Sequence, residues 1–172
     1  MYIDLYRQEK RPEMLKATID ALARFQKEPY PTSGKKDIIK WWWCDALFMA
    51  PPVLVKLGVV TNDNSYLEYN DKCFKECYEL LYNKKERLFA RDLDYVIKED
   101  GKGRKEANGK LIFWGRGNGW VMGGLARILK ELPSDYPQRN FYERLFKEMA
   151  ARIVSLQQAD GLWRASLLDP ES

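Results

Sequence analysis

A chain of 172 residues is long enough for one domain with its own core, and its 45% apolar and 31% charged residues are ordinary for a globular protein with a helical surface. Its net charge of +4 comes from 29 basic and 25 acidic residues whose signs are interspersed, so no basic stripe marks a nucleic-acid partner and none is expected. Histidine is absent, which excludes Ser-His-Asp and Cys-His catalysis together with the usual zinc sites.

Any acid–base catalyst must then be Asp, Glu, Tyr, Lys or Cys. The cysteines are Cys44, Cys73 and Cys77. The last two stand at i and i+4 on a predicted helix, a poor separation for a disulfide and too few ligands for a metal, so reduced thiols and no metal site are expected. Residues 1–10 are charged and lack the apolar run of a secretory signal, and no stretch approaches the ~20 apolar residues of a membrane span. A cytoplasmic protein without membrane contact is expected, or a periplasmic one if the true N-terminus lies upstream.

Taken in chain order, the pattern is helical almost throughout. Residues 12–27 place Met14, Leu15, Ile19 and Leu22 near a 3.6-residue period, with Pro12 at a first-turn position. Residues 29–34, Pro-Tyr-Pro-Thr-Ser-Gly, break that helix. A second helix is predicted over residues 43–57, apolar on nearly all sides and therefore buried, kinked at Pro51-Pro52 and ended by Gly58. A third, over residues 64–82, alternates apolar and charged faces. Residues 83–112 form the longest non-helical stretch, with short strands predicted at 88–92 and 111–113 and a solvated, mixed-charge loop over 98–110. A fourth helix, residues 119–132, is apolar on one side, and a fifth, residues 138–158, carries the stripe Phe141, Leu145, Met149, Ile153 and Leu156.

Two clusters carry the chemistry. Phe113-Trp114-Gly115-Arg116-Gly117-Asn118-Gly119-Trp120 sets a cation and an amide between two indoles, with glycines that admit a close approach to the backbone. Trp41-Trp42-Trp43-Cys44-Asp45 sets an acid directly behind three indoles. Aromatic platforms with a few fixed charges suit sugar rings, whose C–H faces are apolar and whose hydroxyls need partners. Asp45, among Trp43, Phe48 and Met49, is placed as a proton donor; its alternative role is the N-cap of the second helix. For each indole taken singly, core packing is an equal alternative. A Trp-led loop opening a buried helix recurs at Trp43/Asp45, Trp114/Asn118 and Trp163/Arg164, the pattern of helical hairpins whose inner helices line a common axis.

At Trp43-Cys44-Asp45-Ala46-Leu47-Phe48-Met49-Ala50-Pro51, at residues 113–120 and at 157–163, the sequence resembles the unsaturated uronyl hydrolases, specifically the unsaturated rhamnogalacturonyl hydrolases of glycoside hydrolase family 105. The resemblance implies an all-α fold, helical hairpins forming part of an (α/α)6 toroid. Residues 1–172 would then be a single partial barrel domain without its opening and closing hairpins. It implies a glycosidase acting on the Δ4,5-unsaturated uronic acid that ends pectin- or rhamnogalacturonan-derived oligosaccharides, with no cofactor. Asp45 would protonate the C4–C5 double bond and help deliver water to C5. Arg116 would meet the substrate carboxylate, and Trp43, Met49, Asp92, Trp114, Asn118 and Trp120 would complete the substrate site. A family histidine in the loop matching residues 88–92 is replaced here by Arg91-Asp92. The family's second Asp comes from an upstream helix, and neither Asp4 nor Asp20 sits in a matching motif.

Three rivals stand beside this reading: a truncated, non-catalytic fragment, another (α/α) barrel enzyme such as a polysaccharide lyase, and a helical carbohydrate-binding protein. A partial toroid exposes the apolar flanks of its inner helices, so self-association is expected.

Overall fold

A computed structural model describes residues 2–28, 39–97 and 101–172. The predicted break at 29–34 and residues 98–100 of the mixed-charge loop lie outside them. The described chain is built of helices: α1 (Tyr2–Glu9), α2 (Glu13–Lys27), α3 (Ala46–Met49), α4 (Pro51–Thr61), α5 (Asn64–Leu81), α6 (Gly115–Glu131) and α7 (Arg139–Val154). The one sheet among the described residues pairs β1 (Tyr82–Asn83) with β2 (Leu88–Phe89) antiparallel, Tyr82 opposite Phe89.

α4 and α6 are the inner helices. α4 packs against α1, α5 and α6, while α6 packs against α3, α4 and α7, leaving α5 and α7 as the outer partners of two hairpins. Composition explains the placement: Pro51, Pro52, Leu54, Val55, Leu57 and Gly58 of α4 are all buried, so this helix has no face to offer to water. α5 instead buries one side through Leu67, Cys73, Phe74, Cys77 and Leu81 and leaves its charges outside. The charged N-terminal segment, for which no element was expected, forms α1 and is held to α4 by Lys56 Nζ donating to Asp4 at 2.7 Å.

The single kinked helix expected over 43–57 is two helices. Pro51 and Pro52 have no N–H to donate, so the ladder of α3 stops and a new helix starts with the prolines in its first turn. Gly58 does not end α4; Asn62, in the left-handed region at φ 54°, does. Gly58 instead lets α5 approach, since a Cβ there would lie 3.1 Å from Leu67 Cγ. The fourth helix begins at Gly115, four residues earlier than expected, and the fifth ends at Val154 rather than Gln158. Residues 111–113 form no strand; Leu111 makes one isolated bridge to Lys105. The carbonyls that end α6 are closed by Arg139, whose Nη1 donates to Leu129 O at 3.1 Å and Leu132 O at 2.6 Å.

The tightest helix contact is at Gly124. A Cβ added there would fall 2.2 Å from the Leu47 carbonyl oxygen, a backbone atom that cannot swing aside. Gly124→Ala should therefore destabilise the protein by about 1–3 kcal/mol, even after the better helix propensity of alanine. The urea midpoint should drop, and an unchanged or higher midpoint would show that α3 yields at no cost.

Candidate active site

Four chain segments that are distant in sequence are stitched together at the start of α3 and α6. The amide of Cys44 donates to Arg91 O at 2.9 Å, and Trp43 forms a bridge with Asp92. Gly115 N donates to Ala165 O at 2.8 Å, and Leu167 N donates to Phe113 O at 2.8 Å. The third stitch is made by a side chain. Asn118, fully buried, accepts from Phe89 N at 2.9 Å and donates to Phe89 O and Trp114 O, each at 3.0 Å. All of its amide's donors and its acceptor oxygen are thereby used within the protein.

These segments surround a cavity of about 740 Å³ whose walls include Trp42, Trp43, Asp45, Arg91, Tyr95, Trp114 and Arg116. Glu106, Ile112 and Ser166 lie further around it. Asp45 sits in the N-cap position of α3, but its backbone is already helical and its side chain caps no N–H. Its recorded side-chain hydrogen bond comes instead from the Cys44 thiol, at 3.4 Å to Oδ1. Burial first, and then the neighbouring Asp45 carboxylate, raise the Cys44 thiol far above its usual range. It therefore remains a donor. The Arg116 guanidinium lies over the Trp114 indole, 4.6 Å from the ring centroid, and no carboxylate among the described residues pairs with it. A carboxyl group and a planar cation with no carboxylate partner among the described residues thus open onto one aromatic-walled space.

Asp45, Trp43, Trp114 and Arg116 are brought together; the other four expected site residues do not line this cavity. Asn118 is consumed by the Phe89 stitch, so its amide has nothing left for a sugar hydroxyl. Because α6 starts at Gly115, Trp120 lies more than a turn inside the helix, where it packs on Phe48 with centroids 4.6 Å apart. Met49, a turn beyond Asp45, is carried to the surface and is 55% exposed. Asp92 lines a smaller adjoining cavity of about 230 Å³ and accepts from Asp94 N at 2.9 Å, capping the 3-10 turn Leu93–Tyr95. The glycines also serve the protein itself: a Cβ on Gly115 would lie 2.6 Å from Arg164 O, and one on Gly117 would lie 2.6 Å from the Trp114 ring and 2.9 Å from Cys44 Sγ. Tyr95, Glu106 and the 165–166 segment were not singled out in advance. They lie in aperiodic stretches whose only signal is the length of the loop. Among the described residues no three His, Cys, Asp or Glu side chains gather to hold a metal, and no helix is long and apolar enough to cross a membrane.

The family described as Glycosyl Hydrolase Family 88 matches residues 1–172. The chain belongs to glycosyl hydrolase family 88. Among curated relatives, this family-88 chain is 58% identical to the unsaturated 3S-rhamnoglycuronyl hydrolase of Formosa agariphila over 81% of its own length and 37% of that protein's. It is 41% identical to the enzyme of the same name from an Alteromonas species, over 77% of this chain and 31% of that one. The chain spans about a third of the length of these relatives.

Two solved structures, each 33% identical, superpose closely. A family-88 hydrolase from Bacteroides vulgatus gives a TM-score of 0.84 over 99% of this chain and 46% of its own. A structure titled a polysaccharide lyase gives 0.85 over 98% and 44%. The family-105 likeness drawn from the motifs stands with these. A family-105 structure from C. acetobutylicum shares the fold at TM-score 0.75 and 19% identity, over 99% of this chain and 49% of its own. The fold is that of the (α/α)6 toroid, of which these hairpins form part.

Burial raises the other two thiols as well, Cys73 to about 11 and Cys77 beyond that range. A thiol whose folded pKa lies above the unfolded value stays protonated while the fold holds, so none should react as a thiolate near pH 8. Ellman's reagent is expected to label no cysteine in the native protein and all three in urea. Rapid native labelling of Cys44 would contradict the buried donor assigned to it.

Proposed function

We infer that the protein is a hydrolase of oligosaccharides ending in a Δ4,5-unsaturated uronic acid. The observation that carries this reading is the opening of Asp45 and the unpaired Arg116 onto one cavity walled by Trp43 and Trp114. The family and the printed names of two relatives, both unsaturated 3S-rhamnoglycuronyl hydrolases, support it. The same names favour a glycuronyl–rhamnose linkage over the rhamnogalacturonan-derived one expected from the motifs, whose curated counterpart, from Bacillus subtilis, is only 28% identical.

The uronate carboxylate is fixed by Arg116, whose guanidinium is already oriented by the Trp114 face. The Asp45 carboxylic acid gives its proton to C4 of the enol ether, and positive charge develops at C5 and the ring oxygen. Water adds to C5 as the Asp45 carboxylate takes back a proton, forming a hemiketal. Ring opening leaves C5 as a ketone and C1 as a hemiacetal of the second sugar, which collapses and releases that sugar. The Cys44 thiol donates to Oδ1 of Asp45 and so orients the carboxyl group toward the cavity.

The reaction removes a double bond conjugated to a carboxylate, whereas a lyase would create one, so ultraviolet absorbance separates the two outcomes. The protein should bleach an unsaturated glucuronyl–rhamnose disaccharide and, in D2O, leave deuterium at C4 of the product. Asp45→Asn should lower kcat by about 10²–10⁴-fold while leaving substrate binding within a few-fold. Near-normal turnover in that variant, or absorbance rising on an intact polysaccharide, would overturn the reading.

A further inference from the structure

The mixed-charge loop expected to face solvent turns one of its acids inward. Glu106 is the one residue of 101–110 that is not exposed, and it lines the main cavity together with Asp45 and Arg116. Its place is set by the backbone. Glu106 N donates to Lys110 O at 2.9 Å, Gly109 N donates to Glu106 O at 2.9 Å, and Lys105 bridges Leu111. Lys110 N closes the tip by donating to Asn108 Oδ1 at 3.0 Å, and Asn108 Nδ2 ties it to Asp169 at 3.3 Å. Among the described residues, no hydrogen bond or ion pair engages the Glu106 carboxylate. Arg116 likewise lacks a partner of opposite charge, and the two do not pair with each other although they line one space. A cation and an anion held apart across a cavity suit a ligand that brings acceptors to one and donors to the other.

We propose that Glu106 determines which uronate ring the site accepts, by receiving hydrogen bonds from the hydroxyls at C2 and C3. The inference rests on the hydrolase reading, which puts the substrate carboxylate on Arg116 and C4 at Asp45. In a six-membered ring C2 lies across from C5, so the edge farthest from Arg116 is the one that carries these hydroxyls. Glu106 repels the substrate carboxylate and is therefore matched to that far edge. The double bond makes C4 and C5 planar, and C1 carries the second sugar. The hydroxyl stereochemistry left to read is then at C2 and C3. An ionised carboxylate is an acceptor only, and its two oxygens can take one hydroxyl each. Asp45 and Arg116 by themselves meet only the double bond and the carboxylate, which an unsaturated uronate and its C2 epimer share. Glu106 supplies the discrimination between them.

The test uses Asp45→Asn as the parent, so that the sugar is held without being consumed, and reads binding through indole fluorescence. Its ligands are the unsaturated glucuronyl–rhamnose disaccharide, the form lacking the C2 hydroxyl and the C2 epimer. The parent should bind the unmodified disaccharide about 10–100-fold more tightly than either analogue, the range for hydrogen bonds to a charged group. Adding Glu106→Ala should bring the three ligands to similar affinity at an unchanged melting temperature. Adding Glu106→Gln, which keeps one acceptor oxygen, should leave part of the preference. Binding needs no turnover, so the two readings can fail separately. A wild type that hydrolyses nothing, beside a preference that Glu106→Ala removes, keeps the Glu106 assignment and loses the hydrolase. The assignment is overturned if the parent shows no preference, if the preference survives Glu106→Ala, or if Glu106→Ala weakens all three ligands equally.

Discussion

The carboxamide of Asn118 sits where no water reaches it, so its donors and its acceptor must be satisfied by the chain itself. The pairing with Phe89 N and O does this in the manner of one more strand residue, extending the β1–β2 hairpin onto the first turns of α6. Everything at the site then follows by short connections. Phe89 is two residues from Arg91, whose carbonyl receives the Cys44 amide, and Cys44 precedes Asp45. Asn118 is two residues beyond Arg116. One buried amide thus sets the spacing between the acid, the guanidinium and the loop that carries Tyr95. Leaving its backbone partners unpaired would cost about 1–3 kcal/mol for each buried group.

The glycines make that spacing tight. Glycine inside a helix costs roughly 1 kcal/mol relative to alanine, and α6 holds several. Gly115, Gly117 and Gly124 are each met by atoms of another segment where a Cβ would stand: Arg164 O, the Trp114 ring with Cys44 Sγ, and Leu47 O. The loss in helix propensity is the cost of bringing α3, α6 and residues 164–167 within van der Waals contact around the cavity. Trp114 can fold back over the helix and carry Arg116 on its face only because position 117 has no side chain. The buried Cys44 thiol fills the remaining space and supplies a neutral donor to Asp45. A larger polar residue at position 44 would have to find room against Gly117.

Much of this was legible in the chain. The helices, their amphipathic or all-apolar character and the placement of Asp45 and Arg116 on one cavity follow from periodicity and from two aromatic-rich motifs. Most of what was misread shares one cause. Gly115-Arg116-Gly117-Asn118-Gly119 looks like a loop by local propensity, but close packing keeps it helical, and that shift moved Trp120 off the site. Asn118 reads as a ligand-binding amide because nothing local reveals that Phe89, 29 residues earlier, needs its hydrogen bonds. The same blindness to long-range partners hid Tyr95, which lies in an aperiodic stretch. Pro51-Pro52 was seen as a kink, yet two successive residues without N–H groups end one helix and start another.

The central claim is that Asp45 and Arg116 act on the same sugar ring. A crystal structure of Asp45→Asn with an unsaturated glucuronyl–rhamnose disaccharide tests it most directly. The account predicts the unsaturated ring between Trp43 and Trp114, its carboxylate on the Arg116 guanidinium and its C4 within reach of the residue-45 side chain. A sugar bound elsewhere, or bound here with its carboxylate turned away from Arg116, would contradict it.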